Sequence, residues 1–296
     1  MSTVLRSLLF VPADSEKKLA GAGERGADAL LIDMEDSVLP ARKSTGREMC
    51  AEFLKTSQTH SQIWVRINPL DSEYILDDLD AVIPLSPAGI MIPKPDGPVD
   101  IETLSALITK REQAHGLTKG AIKILPVATE TARAVMSLNL YSRTFLPRLL
   151  GLTWGAEDLS TDLGAMTNKD ENGSFAFTYQ MVRSQTLLAA KAAGVQAIDT
   201  LYADFRDPEG LRKYASNAFR EGFSGMLAIH PAQVQIINES FMPTNAQRSH
   251  AQAVIQAFCD NPGAGAVSVN GKMTDIPHLK QAQNTLALFE SYKNKD

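Results

Sequence analysis

Two apolar runs near the middle of the chain stop at carboxylates: Ile124-Leu125-Pro126-Val127-Ala128-Thr129-Glu130 and Leu149-Leu150-Gly151-Leu152-Thr153-Trp154-Gly155-Ala156-Glu157-Asp158. If these runs are neighbouring parallel strands, they lie roughly 4.8 Å apart, and Glu130 and Asp158 reach one hard cation above the strand ends. Ligation by oxygen alone favours Mg²⁺ or Mn²⁺ over zinc. The alternative is that the two carboxylates independently cap the helices that follow. Other apolar runs also stop at polar groups, and their ends collect Asp33, Glu35, Asp36, Arg66, Lys94, Asp199 and His230.

Helix capping explains Asp36 or Asp199 but leaves Glu130, Arg66 and Lys94 without a reason to gather at strand ends. Arg66, in Trp64-Val65-Arg66-Ile67-Asn68-Pro69, has two readings. It is either an ion-pair partner of Glu35 or Asp36, or a planar fork for a carboxylate or a developing enolate oxygen. Lys94, between Pro93 and Pro95, faces either an anionic substrate or solvent. His230 is explained as well by a hydrogen-bonded wall position as by catalysis.

Such a cluster needs elements that bring strand ends together. Strands are predicted at Ser7–Val11, Ala29–Met34, Ile63–Ile67, Gly89–Ile92, Ile122–Thr129, Leu149–Gly155, Gln196–Asp199 and Met226–Ile229, with helical apolar spacing between them. Eight strand-helix units predict a (β/α)₈ TIM barrel, whose strand ends converge on one mouth. A doubly wound open sheet is the competitor, but Val11-Pro12-Ala13-Asp14-Ser15 is not a glycine-rich dinucleotide loop.

The pattern changes after Phe241-Met242-Pro243. Thr244-Asn245-Ala246-Gln247 reads as a capping box opening a helix with Ala251, Val254, Ile255 and Phe258 on one face. Ala266–Met273 reads as a short hairpin, and Pro277 opens a last helix carrying Leu279, Ala282, Leu286 and Phe289. The expected organisation is a catalytic barrel over 1–243 and a C-terminal helical arm over 244–296. The arm is too small for a core of its own, so its apolar faces are expected to pack on the barrel or on a neighbouring subunit.

The chain of 296 residues is 44% hydrophobic and 21% charged, with a net charge of −5, a soluble globular composition. The acidic balance excludes a broad nucleic-acid surface. No run approaches the roughly 20 apolar residues of a membrane span, and the N-terminus shows no leader pattern, so a cytoplasmic protein is expected. Cys50 and Cys259 are expected to be reduced, structural thiols, and the sequons at Asn172 and Asn238 to be accidental.

The sequence resembles the citrate lyase β-subunit-like group of the HpcH/HpaI aldolase superfamily, which includes malyl-CoA and citramalyl-CoA lyases. The resemblance rests on an ordered set of motifs across the whole chain: Arg6-Ser7-Leu8-Leu9-Phe10-Val11-Pro12, Asp33-Met34-Glu35-Asp36-Ser37-Val38, Val65-Arg66-Ile67-Asn68, Ile92-Pro93-Lys94, Glu130-Thr131-Ala132-Arg133, Gly155-Ala156-Glu157-Asp158-Leu159, Ala197-Ile198-Asp199-Thr200, Ile229-His230-Pro231-Ala232-Gln233-Val234 and Gly271-Lys272-Met273-Thr274-Asp275. Ala13, Ser37 and Thr274 depart from the usual glycine, alanine and isoleucine.

The resemblance implies a barrel with Mg²⁺ held by Glu130 and Asp158, Arg66 at the reacting carbonyl, and Glu35 and Asp36 as outer partners of the metal. It implies an arm that carries Asp275 to a neighbouring subunit's mouth in a trimer or hexamer. Arg6 and Lys18, or Lys17, are expected at the phosphates of an acyl-CoA substrate. The expected reaction splits a 3-hydroxyacyl-CoA into acetyl-CoA and a 2-oxo acid. The alternatives are a citrate lyase β subunit working on a carrier-bound citryl group, an aldolase of free oxo acids, and a barrel kept as a non-enzymatic scaffold.

Overall fold

The computed structural model describes residues 4–293. Met1–Thr3, where the N-terminal segment begins, and 294–296 lie outside the described residues. Eight parallel strands form the main sheet: β1 (Ser7–Pro12), β2 (Ala29–Asp33), β3 (Gln62–Arg66), β4 (Gly89–Ile92), β5 (Lys123–Pro126), β6 (Gly151–Leu152), β7 (Gln196–Asp199) and β8 (Gly225–Ala228). Their order is β5-β4-β3-β2-β1-β8-β7-β6. Parallel bridges from Ile124 to Leu149 and from Val127 to Thr153 join the outer strands, giving the expected (β/α)₈ barrel. The expected sixth strand shortens to two residues because only Gly151 and Leu152 pair with β7.

The helices of this unit are α1 (Glu16–Ala20), α2 (Lys43–Thr56), α3 (Ile75–Val82), α4 (Pro98–Ala114), α5 (Ala132–Ser137), α6 (Glu157–Asp162), α7 (Phe177–Ala192), α8 (Pro208–Glu221) and α9 (Pro231–Ser240). Side chains alternate along each strand. Leu8, Ala29, Leu31, Trp64, Met91, Leu125, Val127, Ile198 and Leu227 form one buried cluster. Glycine is required at two of its margins. A Cβ on Gly89 would stand 2.2 Å from the Trp64 ring, and one on Gly225 would stand 1.9 Å from the Leu5 carbonyl oxygen.

The chain divides into two compact units, Val4–Asn238 and a second that begins at Glu239. The second contains α10 (Asn245–Asp260), the antiparallel hairpin β9 (Ala266–Val269) and β10 (Lys272–Asp275), and α11 (Ile276–Lys293). Thr244 and Gln247 make the expected capping box. Asn270 and Gly271 both have positive φ, the requirement of a two-residue type I′ turn.

This tail does form a core, contrary to expectation. Ala251, Val254 and Phe258 of α10, Val269 of the hairpin and Ala282 of α11 make a buried cluster. The reason is that two helices of 16 and 18 residues face each other with their apolar stripes, while the hairpin covers a further side. Cys50 is buried, but Cys259 is exposed rather than structural. No helix among the described residues is long and apolar enough to cross a membrane.

Candidate active site

Strand register builds the centre of the mouth. Pro12, Asp33 and Arg66 lie in one row across β1, β2 and β3. The inward face that carries Leu31 and Trp64 carries Asp33 and Arg66 two residues later. At strand spacing the two side chains must meet, and Arg66 donates from Nε and Nη2 to the two Asp33 oxygens, each at 2.7 Å. Its Nη1 lies 3.0 Å from Glu35 Oε2, an ion pair out of hydrogen-bonding alignment. The Phe10 ring packs against the guanidinium at 4.7 Å.

Burial disfavours the charged form of Arg66, but Asp33 and then Glu35 outweigh it and hold its pKa above the ordinary value. Burial likewise opposes the Asp33 carboxylate, and Arg66 keeps its pKa below the ordinary range. The partner that takes the fork is therefore Asp33, with Glu35 at the side and Asp36 outside hydrogen-bonding reach. Arg66 still lines the central cavity.

Lys94 follows β4 in a left-handed conformation, φ 51°, which is strained for a side-chain-bearing residue before proline. Two contacts accompany this backbone. Its N–H donates to Glu130 Oε2, and its ammonium lies 2.6 Å from Glu35 Oε1, 3.5 Å from Asp158 Oδ1 and 3.7 Å from Asp36 Oδ1. Lys94 thus meets the protein's own carboxylates.

Neither carboxylate of the expected metal pair is explained as a cap. Thr131 caps α5 by accepting from the Ala134 N–H, which leaves Glu130 free of that duty. Asp158 lies in the first turn of α6, whose N-cap position is held by Ala156. Glu130 is 4% exposed and leans over Gly155, where a Cβ would come within 3.1 Å of its Cγ. Burial, together with the charges of Asp158 and Glu35, pushes the Glu130 carboxyl up to about 8 against the opposing Lys94 N–H.

These groups open onto a cavity of about 1400 Å³. Asp33, Asp36, Glu130 and Asp158 line its acidic side, and Lys17, Lys18, Arg25 and Lys213 line it elsewhere. Lys18 therefore lines the cavity. Arg6 does not. It precedes β1, at the end of the barrel away from the mouth, and donates from Nε and Nη2 to Asp28 at 3.0 and 2.9 Å. The residue before a strand lies at the opposite barrel face from the residues after it, so the assignment of Arg6 to substrate phosphates is corrected.

One wall of the cavity was not foreseen. Asp199, fully buried, accepts from Trp154 Nε1 at 2.7 Å and from Arg183 Nη2 at 2.7 Å. Trp154, Phe175 and Tyr214 form a chain of ring contacts beside it. Asp199 ends a strand and was visible as such. Arg183 sits in the middle of α7, where its type alone carries no signal. His230 stacks on Phe205 at 4.7 Å and accepts from the Ala232 N–H, a wall position. Asp275 lies in the second unit, where its carboxylate pairs with His278 Nδ1.

The donor set fits a hard cation. No group of three or more His, Cys, Asp or Glu side chains able to cage an ion is present among the described residues, but Mg²⁺ is commonly held by one or two carboxylates while keeping several waters. Glu130 and Asp158 supply such a pair, and a carboxyl pushed up to about 8 by burial and like charge marks a place short of positive charge.

Comparison with known proteins places this geometry. The HpcH/HpaI aldolase/citrate lyase family matches residues 6–231. The mitochondrial citramalyl-CoA lyase of Rattus norvegicus is 32% identical over 307 residues, covering 98% of this chain and 87% of that protein. The citrate lyase subunit beta of Haemophilus influenzae is 33% identical over 289 residues, covering 97% of each. Among solved structures, the Mycobacterium tuberculosis protein CitE in complex with magnesium, acetoacetate and coenzyme A superposes with a TM-score of 0.80 at 27% identity, covering 98% of this chain and 100% of that one. From its matched motifs and its barrel, the chain belongs to the HpcH/HpaI aldolase/citrate lyase family of enzymes.

Proposed function

We propose that the protein is a Mg²⁺-dependent carbon–carbon lyase that splits a 3-hydroxyacyl-CoA of the citramalyl-CoA or malyl-CoA type into acetyl-CoA and a 2-oxo acid, pyruvate or glyoxylate. The observation that carries the reading is the mouth itself, where Glu130 and Asp158 share a cavity with a guanidinium locked by Asp33. The cavity of about 1400 Å³ exceeds the roughly 300–1,000 Å³ of ordinary small-molecule sites, as a substrate on a long carrier requires. The magnesium and coenzyme A bound by the structural neighbour support the same pairing.

Glu130 and Asp158 would hold the metal, and Glu35 and Asp36 would orient what surrounds it. Bound Mg²⁺ supplies electrophilic polarisation of the substrate's carboxylate and hydroxyl oxygens. Arg66, kept protonated and immobile by Asp33, stabilises negative charge on the thioester oxygen as the bond breaks. Lys17 and Lys18 meet the phosphates of the carrier. Asp275, brought by the C-terminal unit of a neighbouring subunit in a homo-oligomer, protonates the enolate carbon and removes that proton in the condensation direction.

A second reading is a citrate lyase β subunit that acts on a citryl group tethered to a carrier protein, and the Haemophilus relative matched along 97% of both chains favours it. One experiment separates them. The purified chain is incubated with Mg²⁺ and citramalyl-CoA or malyl-CoA, and the oxo acid is identified. Saturable turnover without any added protein is expected. Turnover only with a citryl-loaded carrier protein would establish the second reading instead, and inactivity with every substrate would leave the scaffold.

A further inference from the structure

We infer that His278 is a positioning residue for Asp275, and that the two work as a hydrogen-bonded carboxylate–imidazole pair that supplies the proton of the lyase reaction. The inference rests on the reading of Asp275 as the proton donor. It concerns a contact within the second unit and does not depend on which subunit that unit serves.

The local chain builds the pair. Asp275 ends β10 and immediately precedes α11, so His278 comes back beside it one helical turn later. Asp275 Oδ1 meets His278 Nδ1, and the same ring nitrogen lies 3.3 Å from the Asp275 backbone nitrogen. The carboxylate contact orients the ring. An aspartate before a helix ordinarily accepts from backbone N–H groups of the first turn, but Pro277 removes one such donor and leaves that role to the ring. The side chains remain 40% and 55% exposed, so the pair is open to a reacting group.

The His278 ring meets the Asp275 carboxylate directly. The hydrogen bond from His278 holds the Asp275 carboxyl below the usual carboxylate range, so Asp275 rests as a carboxylate and needs a proton delivered to it. The ring nitrogen of His278 is the group in contact with that carboxylate and is placed to deliver it. In the cleavage direction the carbon–hydrogen bond of acetyl-CoA forms as an oxygen–hydrogen bond on Asp275 breaks. That proton reaches the oxygen from Nδ1 of His278. The pair ends as carboxylate and neutral imidazole, and the condensation direction reverses each transfer.

Other charges of this unit bear little on Asp275. β9 places uncharged Ala266 opposite it. Lys272 is three residues back along β10 and points to the other face of the hairpin. Lys280 is two residues beyond His278 and so lies round the helix from it.

The test uses the full-length protein with Mg²⁺ and the CoA thioester it cleaves. His278→Asn keeps a hydrogen-bonding nitrogen near the Nδ1 position but cannot titrate. Its kcat is expected to fall roughly 100-fold, with KM within about twofold, and the pH dependence that the ring gives the wild-type kcat profile should vanish. His278→Ala should fall further. A ring-proton NMR spectrum gives a readout free of turnover: Asp275→Asn should move the His278 resonances. Wild-type kcat and pH profile in His278→Asn, with Asp275→Asn inactive, would overturn the pair alone. Full activity in Asp275→Asn would overturn the reading of Asp275 itself.

Discussion

Glu130 bears the electrostatic tension of the mouth, and that tension is measurable. In the unfolded chain its carboxyl loses its proton near the ordinary 4.5, whereas in the folded, metal-free protein burial and the charges of Asp158 and Glu35 hold the proton up to about 8. Between those values the folded state binds more protons, so stability falls as pH rises, by up to about 1.4 kcal/mol per unit. Urea midpoints of metal-free protein from pH 5 to 9 should fall more steeply in wild type than in Glu130→Gln. Saturating Mg²⁺ should remove the difference, because it replaces the proton. Parallel curves would rule out a strained Glu130. By the same reasoning, Glu130→Gln and Asp158→Asn should each weaken Mg²⁺ binding at least about tenfold in calorimetry while staying folded.

At the scale of elements, the seam between β1 and β8 and the first turn of α10 are the places where one residue decides local structure. An added Cβ at Gly225 meets the backbone oxygens of Leu5 and Arg6 at 1.9 and 2.7 Å, and backbone in a paired strand cannot step aside. Gly225→Ala should cost about 3 kcal/mol and lower the thermal midpoint of the barrel. Thr244→Ala removes the side-chain half of the capping box and should cost about 1 kcal/mol. Amide hydrogen exchange should show that loss confined to the second unit, and a loss spread over the barrel would contradict two separately stabilised units.

For the whole molecule, the question is who completes the site. The second unit has a core of its own, so it would serve a neighbour as a folded piece rather than as a loose arm. Asp275→Ala and Glu130→Gln chains, each expected to be inactive, can be unfolded and refolded together. A barrel from the first then receives an intact Asp275 from the second, and a substantial fraction of wild-type activity should return. No recovery would mean that each site is completed within its own chain, and the trans arrangement would be abandoned.

Much of this was legible because it is local. Short apolar runs marked the eight strands, the polar residues at their ends named Asp33, Glu35, Arg66, Lys94, Glu130 and Asp158 in advance, and Thr244 with Gln247 announced a helix start. A strand's end is a one-dimensional fact, and a barrel maps such ends to one face. Who touches whom there is not one-dimensional. Register alone put Asp33 rather than Asp36 in the fork of Arg66, a left-handed backbone turned Lys94 onto three carboxylates, and Arg183 reached Asp199 from the middle of a helix. Arg6, expected at the substrate phosphates, precedes β1 and so lies at the end of the barrel away from the mouth, paired with Asp28. The sequence by itself determined the architecture and the chemical types at the mouth, since both follow from local periodicity. Only the tertiary structure decided the pairings, because they depend on strand register, backbone conformation and burial that no single segment contains.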